Sequence, residues 1–368
     1  MFRSITICLR AGRQGLYTDT CTLRRLARNK QISPHIRNLT ITVSPKSPPP
    51  SSDSAETLKL IVWAMSMILP TYLEELPNLK SLRVDSEEFL RHCDDHIANE
   101  LRHEFDSILR SNLSANPSLP FTSTLQSLQL NLAAAEDFHL LWEGDKPTFI
   151  PLLKNLQHLG LRVYDRSGPD GQRYYYGTLS AIQKKHPNTM YQRSLVPLIP
   201  RFPESTMLQT LQIQCTHVFD LDGFTSHSRN SGSCGLRELK LARVKVRAQT
   251  LIKCLLGSRE LETLDLDDVQ LKAGTWSQVF YALFPDEEDD CETRMGHHLT
   301  HLKIASVGYS PKSPFYSPSM SMPDDPHPIP VEGRHPEDLN ALHRLRIEIV
   351  DVNRKRLGVV DDVKALAS

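Results

Sequence analysis

The chain has 368 residues, more than one ordinary compact domain needs, with 43 Lys plus Arg against 43 Asp plus Glu. A net charge of zero argues against nucleic acid as the main partner, because phosphate binding wants a basic excess. No apolar run approaches the ~20 residues needed to span a bilayer, and the apolar stretch in the opening MFRSITICLRAGR is too short for a signal peptide.

The chain opens on FRSITI at Phe2, a loose version of a six-residue frame that then recurs. The frame is Leu or Ile, two residues, Leu, one residue, then Leu, Ile or Val. Copies begin at Ile36 (IRNLTI), Leu79 (LKSLRV), Leu125 (LQSLQL), Leu156 (LQHLGL), Leu208 (LQTLQI), Leu236 (LRELKL), Leu261 (LETLDL), Leu299 (LTHLKI) and Leu342 (LHRLRI). With 52 Leu, 18 Ile and 17 Val in the chain, about two matches are expected by chance on a self-similarity test. The intervening positions are nearly all polar, which random apolar clustering does not produce.

Positions 4 and 6 of the frame are two apart, as on one face of a strand. Position 1 lies where the chain turns into that strand, so all three apolar residues point to one side. One such unit cannot bury its apolar side alone; stacked units can, and their strands then form a parallel sheet.

Between the frames, helical spacing predicts return helices over Thr20–Arg28, Ala55–Leu69 and His96–Leu109. Further helices are expected over Arg247–Leu256 (Leu251, Ile252, Leu255 and Leu256 on one face, Gly257 as the stop) and Trp276–Phe284 (Trp276, Val279, Phe280 and Leu283). The steps between frames are 43, 46, 31, 52, 28, 25, 38 and 43 residues, of which only 28 and 25 lie near a regular leucine-rich repeat of ~20–29. The expected architecture is therefore α/β: an irregular leucine-rich-repeat solenoid or horseshoe, with parallel strands on its concave face and helices on its convex face. Residues 1–307 form the array, with a Pro/Ser-rich insertion at 44–54. A Pro-rich loop follows over 308–336, and 337–368 form a closing repeat and tail.

Two insertions carry Ser-Pro pairs: Ser44-Pro45 and Ser47-Pro48 in the first, and Ser310-Pro311, Ser313-Pro314 and Ser317-Pro318 in the second. Proline excludes both from helix or sheet interiors, and proline-directed phosphorylation is the modification they would suit. The acidic run Asp286–Asp290 reads as a solvated loop. His92, Cys93, Asp94, Asp95 and His96 are capable of binding metal, but their spacing matches no HExxH or paired CxxC site. There is no GxGxxG, P-loop or GxSxG, so no catalytic residue, cofactor or metal is expected. The seven Cys are odd in number and widely spaced, which fits reduced thiols in the cytoplasm or nucleus; Cys254 reads as a small core residue. The first 50 residues, with seven Arg, one Asp and no Glu, share their composition with mitochondrial transit peptides, yet the same residues fit the repeat.

The frames and their spacing resemble the leucine-rich-repeat region of fungal F-box proteins. The most specific stretch is FRSITICLRAGRQGLYTDTCTLRRLARNKQISPHIRNLTI, which looks like the segment directly after an F-box. The resemblance implies a substrate-recognition role in a Skp1–cullin–F-box ubiquitin ligase, with no chemistry in these residues. No F-box helix cluster is visible, so a Skp1-docking module is expected only upstream of Met1. The Asn or Cys expected after the strand is also missing; Val244, Val269, Val307 and Val350 stand in that slot.

The polar residues between the apolar positions are the expected contact surface for a protein target. In the first half these are Arg83, Asp85, Gln129, Asn131 and Arg162; in the second, Gln212, Gln214, Lys240, Asp265, Asp267, Lys303 and Arg346. Cations at the central position favour a partner segment with acidic or phosphate character. Neither nucleic acid nor membrane is an expected partner. An interaction scaffold with no ubiquitin link is the alternative reading.

Overall fold

A computed structural model describes residues 3–10, 13–44, 73–85, 124–132, 155–163, 207–221, 235–284, 298–309 and 336–356. Several features expected from the sequence lie outside these residues: the helices over Ala55–Leu69 and His96–Leu109, the Ser-Pro pairs beyond Ser44, the acidic run, the His92–His96 cluster and the tail after Arg356.

Contacts divide the chain into two compact units, Met1–Leu208 with Cys215–His217, and Gln209–Gln214 with Val218–Ser368. The first unit holds β1 (Ser4–Arg10), α1 (Arg13–Arg28), a 3-10 turn (Ser33–His35), β2 (Asn38–Ser44), β3 (Ser81–Asp85), β4 (Ser127–Leu132) and β5 (His158–Val163). Each strand pairs with the next in parallel and in order. The second unit holds most of β6 (Thr210–Asp220), then β7 (Glu238–Arg247), α2 (Ala248–Leu256), β8 (Thr263–Ala273) and α3 (Trp276–Leu283). It ends with β9 (His301–Ala305), β10 (Gly308–Tyr309) and α4 (Pro336–Arg356). Here β6, β7, β8 and β9 pair in parallel and in order, and β10 pairs with the far end of β8.

The frame explains this order. From β2 to β8 the strand begins at position 3, and positions 1, 4 and 6 are all at most 5% exposed. The pairing register puts position 4 beside position 4: Leu39, Leu82, Leu128 and Leu159 in the first unit, Leu211, Leu239, Leu264 and Leu302 in the second. A slip of one residue would turn every leucine to solvent, so burial fixes the register. The carbonyl at position 2 accepts hydrogen bonds from the amides at positions 2 and 3 of the next copy, at 2.7–3.0 Å. This occurs from Arg3 to Gln157 in the first unit and from Gln209 to Thr300 in the second. That backbone ladder satisfies the turn groups at the entry to each strand.

The second unit adds a device of its own. Arg243, Asp268 and Ser306 all have φ between 52° and 56°, and each directly precedes a Val (Val244, Val269, Val307) that is at most 2% exposed. One left-handed residue turns the chain so that two successive side chains need not alternate, and the Val enters the core. Val350 breaks this series: it lies in α4 and is 48% exposed.

The frame at Leu342 is a correction to the expected closing repeat. Residues 336–356 are one helix. Asp338, Ala341, Leu342, Leu345 and Ile349 are buried at helical spacing, while Ile347, frame position 6, is 49% exposed. Pro336 in the first turn, with Glu337 and Asp338 beside it, and Arg354, Lys355 and Arg356 in the last turn, are helix-terminal signals. Gly308 and Tyr309, expected as loop, form β10. α1 runs longer than expected, from Arg13, and α2 buries Leu251 and Leu255 but leaves Leu256 46% exposed. Cys254 is half-buried rather than core. α2 does end at Gly257, in ordinary right-handed geometry. Among the described residues no helix is long and apolar enough to cross a membrane.

Candidate functional site

In each unit the strand face opposite the leucines is built by frame positions 3, 5 and 7. Position 5 forms one row per unit: Thr40, Arg83, Gln129 and Gly160 in the first, Gln212, Lys240, Asp265 and Lys303 in the second. Position 7 forms a second row: Thr42, Asp85, Asn131 and Arg162, then Gln214, Ala242, Asp267 and Ala305. Eleven of the twelve residues expected as contact residues therefore fall in these two rows. Arg346 does not; it lies on α4, off the strands.

The rows are cross-linked within the protein. In the first unit the Arg83 guanidinium lies 3.3 Å from the Asp85 carboxylate, and the Asn131 side-chain amide donates to the same carboxylate at 2.9 Å. Asn131 is only 4% exposed, so it positions Asp85 instead of presenting itself. Gln129 lies over Gly160: a Cβ there would meet Gln129 Cγ at 3.2 Å. In the second unit the Lys240 ammonium meets Glu238, which also accepts from the Thr210 hydroxyl at 3.2 Å, and Lys303 lies 3.5 Å from Asp265. Arg83, Lys240 and Lys303, three of the cations that suggested an acidic or phosphorylated partner, thus each meet an acid two residues away or on the neighbouring strand. Exposed pairs of this kind contribute about 0–1 kcal/mol apiece. They make a locally neutral surface of donors and acceptors. Gln214, Asp267, His301 and Lys303 are its exposed positions among the described residues of the second unit.

A second polar cluster, unforeseen from the sequence, is buried beneath α3. Asp338, at the start of α4, is 1% exposed. One of its carboxylate oxygens accepts from the Ser277 amide at 2.7 Å and the other from the Tyr309 hydroxyl. The Tyr309 oxygen accepts from the Trp276 amide at 3.2 Å, and the Trp276 indole donates to the Gly308 carbonyl at 2.8 Å. A carboxylate at a helix N-terminus satisfies otherwise orphaned amides and meets the positive end of the helix dipole. Thr275 completes the end with a capping box to Gln278. Burial, aided by the Asp338 carboxylate, pushes the Tyr309 hydroxyl well above the ordinary tyrosine range. These bonds join α3, β10 and α4, so the cluster acts as a clasp. The sequence signal was a Pro-Glu-Asp helix start, but nothing in it says which helix end the Asp caps.

Among the described residues no group of three His, Cys, Asp or Glu side chains is placed to hold a metal ion. No protein-family model matches the chain, and no curated protein is similar to it.

Proposed function

We propose that this chain is a leucine-rich-repeat protein-binding adaptor that engages its target through the strand face. The observation that carries the reading is the alignment, within each unit, of polar rows in register across successive parallel strands, opposite the buried apolar positions of the frame. Such a face is pre-organised by its own cross-strand bonds, so a partner need not pay to order it. The substrate-recognition role in a Skp1–cullin–F-box ligase rests on the resemblance of residues 1–307 alone, since fold does not fix function.

The test is native affinity purification of the protein tagged in its full-length reading frame, followed by mass spectrometry. The Gln214→Arg/Asp267→Arg double variant, both on the face, should lose the partner that the parent recovers. Arg346→Glu, on the helix, should keep it. Recovery of Skp1 and a cullin with the parent supports the ligase role. Identical recovery by the face variant and the parent sinks the strand-face reading.

A further inference from the structure

β9, the last strand of the second unit that carries the frame, is finished differently from β7 and β8. At β7 and β8 the residues at positions 4 and 6 are at most 5% exposed, but Leu302 and Ile304 of β9 are only half-buried. Leu299 and Val307, at the two ends of the same copy, are at most 2% exposed. α4 passes both ends: Asp338 sits at Ser277, and the Asn353 side chain donates to the Thr300 carbonyl at 2.9 Å. The middle of β9 is thus the incompletely covered part. Its one strand neighbour is β8, and among the described residues no strand pairs with its other edge.

The edge has a chemical pattern. β9 already accepts Leu264-Asp265-Leu266 on its paired side, with the leucines beside Leu302 and Ile304 and the Asp beside Lys303. Along that row the charges run Lys240, Asp265, Lys303. The Lys303 side chain is 57% exposed, and its ammonium has three donors, enough to serve an acid on each side.

We infer that the open edge of β9 binds an extended segment of a partner protein with the alternation apolar–acid–apolar, added as one more strand. This rests on the protein-binding reading above and specifies the partner's chemistry. The apolar residues would finish covering Leu302 and Ile304, the acid would face Lys303, and the backbone would pair with the edge of β9 that no described strand occupies. The pattern is the same in both directions, so either strand polarity satisfies it. A second copy of the chain fits poorly, because two β9 edges paired antiparallel about their centres would set Lys303 against Lys303, and like charges directly opposite destabilise a strand pair.

The probe is a fluorescent peptide with the sequence of residues 259–269, RELETLDLDDV, titrated into the full-length chain and read by anisotropy. Binding is expected, and replacing the peptide Asp that matches Asp265 with Lys should weaken it about five- to tenfold. Replacing it with Pro, which lacks the amide donor and strains a paired strand, should abolish binding. The Lys303→Glu protein should reverse the preference and favour the Lys peptide. The parent protein with the three peptides is decisive even if that variant folds poorly. No saturable binding, or equal binding of the Asp, Lys and Pro peptides, overturns the inference. So does a stable dimer in sedimentation that excludes the peptide, since a second copy would then hold the edge. In the native purification, loss of partners with Gln214→Arg/Asp267→Arg but not with Lys303→Glu would remove the edge proposal and leave the strand-face reading intact.

Discussion

Leu261–Leu266 and Leu342–Ile347 carry the same frame, LETLDL and LHRLRI, and fold differently. The first enters β8, with Leu261, Leu264 and Leu266 all at most 2% exposed. The second lies in α4, where Leu342 and Leu345 are buried and Ile347 faces out. Six residues do not decide between the two, because positions 1 and 4 are also one helical turn apart. The flanks decide. LHRLRI sits in a helical stripe that starts at Asp338 and continues through Ala341 to Ile349, with Pro and acids ahead of it and three basic residues behind. LETLDL is followed by Asp-Asp-Val, whose second Asp takes positive φ and sends Val269 into the core.

The comparison is sharpest at frame position 6. Leu266→Ala removes a fully buried side chain and should cost about 3 kcal/mol, within the usual range of ~2–5. Ile347→Ala, at 49% exposure, should change stability by less than about 0.5 kcal/mol. Urea unfolding followed by tryptophan fluorescence and far-UV circular dichroism measures both. Equal losses would mean that Ile347 is packed as Leu266 is, and that the helical reading of 336–356 is wrong.

Next in size is the clasp that seats α4. Asp338→Ala leaves the Ser277 amide and the Tyr309 hydroxyl without their buried acceptor, at about 3 kcal/mol or somewhat less. Tyr309→Phe should cost about 1 kcal/mol. The two differ in their pH response. The folded protein holds the Tyr309 proton more tightly than the unfolded chain does, because burial and the Asp338 carboxylate oppose the phenolate. That stability is fully present below the ordinary tyrosine pKa of ~10 and is lost as pH rises from there toward the folded value. The urea midpoint of the parent should therefore fall more steeply above pH ~10 than that of Tyr309→Phe. Parallel pH curves would show that the hydroxyl is not buried against the carboxylate.

Gly274 should rank third. Its φ is +79°, and an added Cβ would lie 2.5 Å from the Ala248 Cβ and 2.9 Å from Gln278 Oε1, the side chain of the α3 capping box. Gly274→Ala should cost about 2 kcal/mol from strain and displaced packing. A loss no larger than an ordinary surface substitution would show that the β8–α3 turn can relax.

Much of this was legible because the frame is a burial pattern. Position 3 marks where the strands from β2 to β9 begin, and eleven expected contact residues do share the polar face. What was not legible depends on partners far away in sequence. Asn131 looks like a surface amide until Asp85, 46 residues earlier, takes its hydrogen. Asp338 looks like a helix-start acid for its own helix, and it caps α3, 61 residues away. Periodicity records which side of an element is apolar; it holds no record of which polar group lies across the gap.

The smallest expected effect tests the left-handed residues that separate the strand copies from the helical one. Ser306 is exposed with φ 52°, a conformation that costs a non-glycine residue about 1 kcal/mol. Ser306→Gly relieves that cost but frees the unfolded chain, so the net gain should be about 0.5 kcal/mol or less. Asp268 has the same φ, yet it is 7% exposed and its carboxylate lies 3.9 Å from the Arg243 guanidinium. Asp tolerates this region better than most residues, so Asp268→Gly has less strain to relieve and loses side-chain contacts; it should destabilise by about 1 kcal/mol. Opposite signs at the two sites would show that the second unit uses one backbone turn for two purposes: at β9 to bring Val307 inward, and at β8 also to hold a carboxylate against its neighbour. A gain at both sites would reduce Asp268 to a strained turn residue.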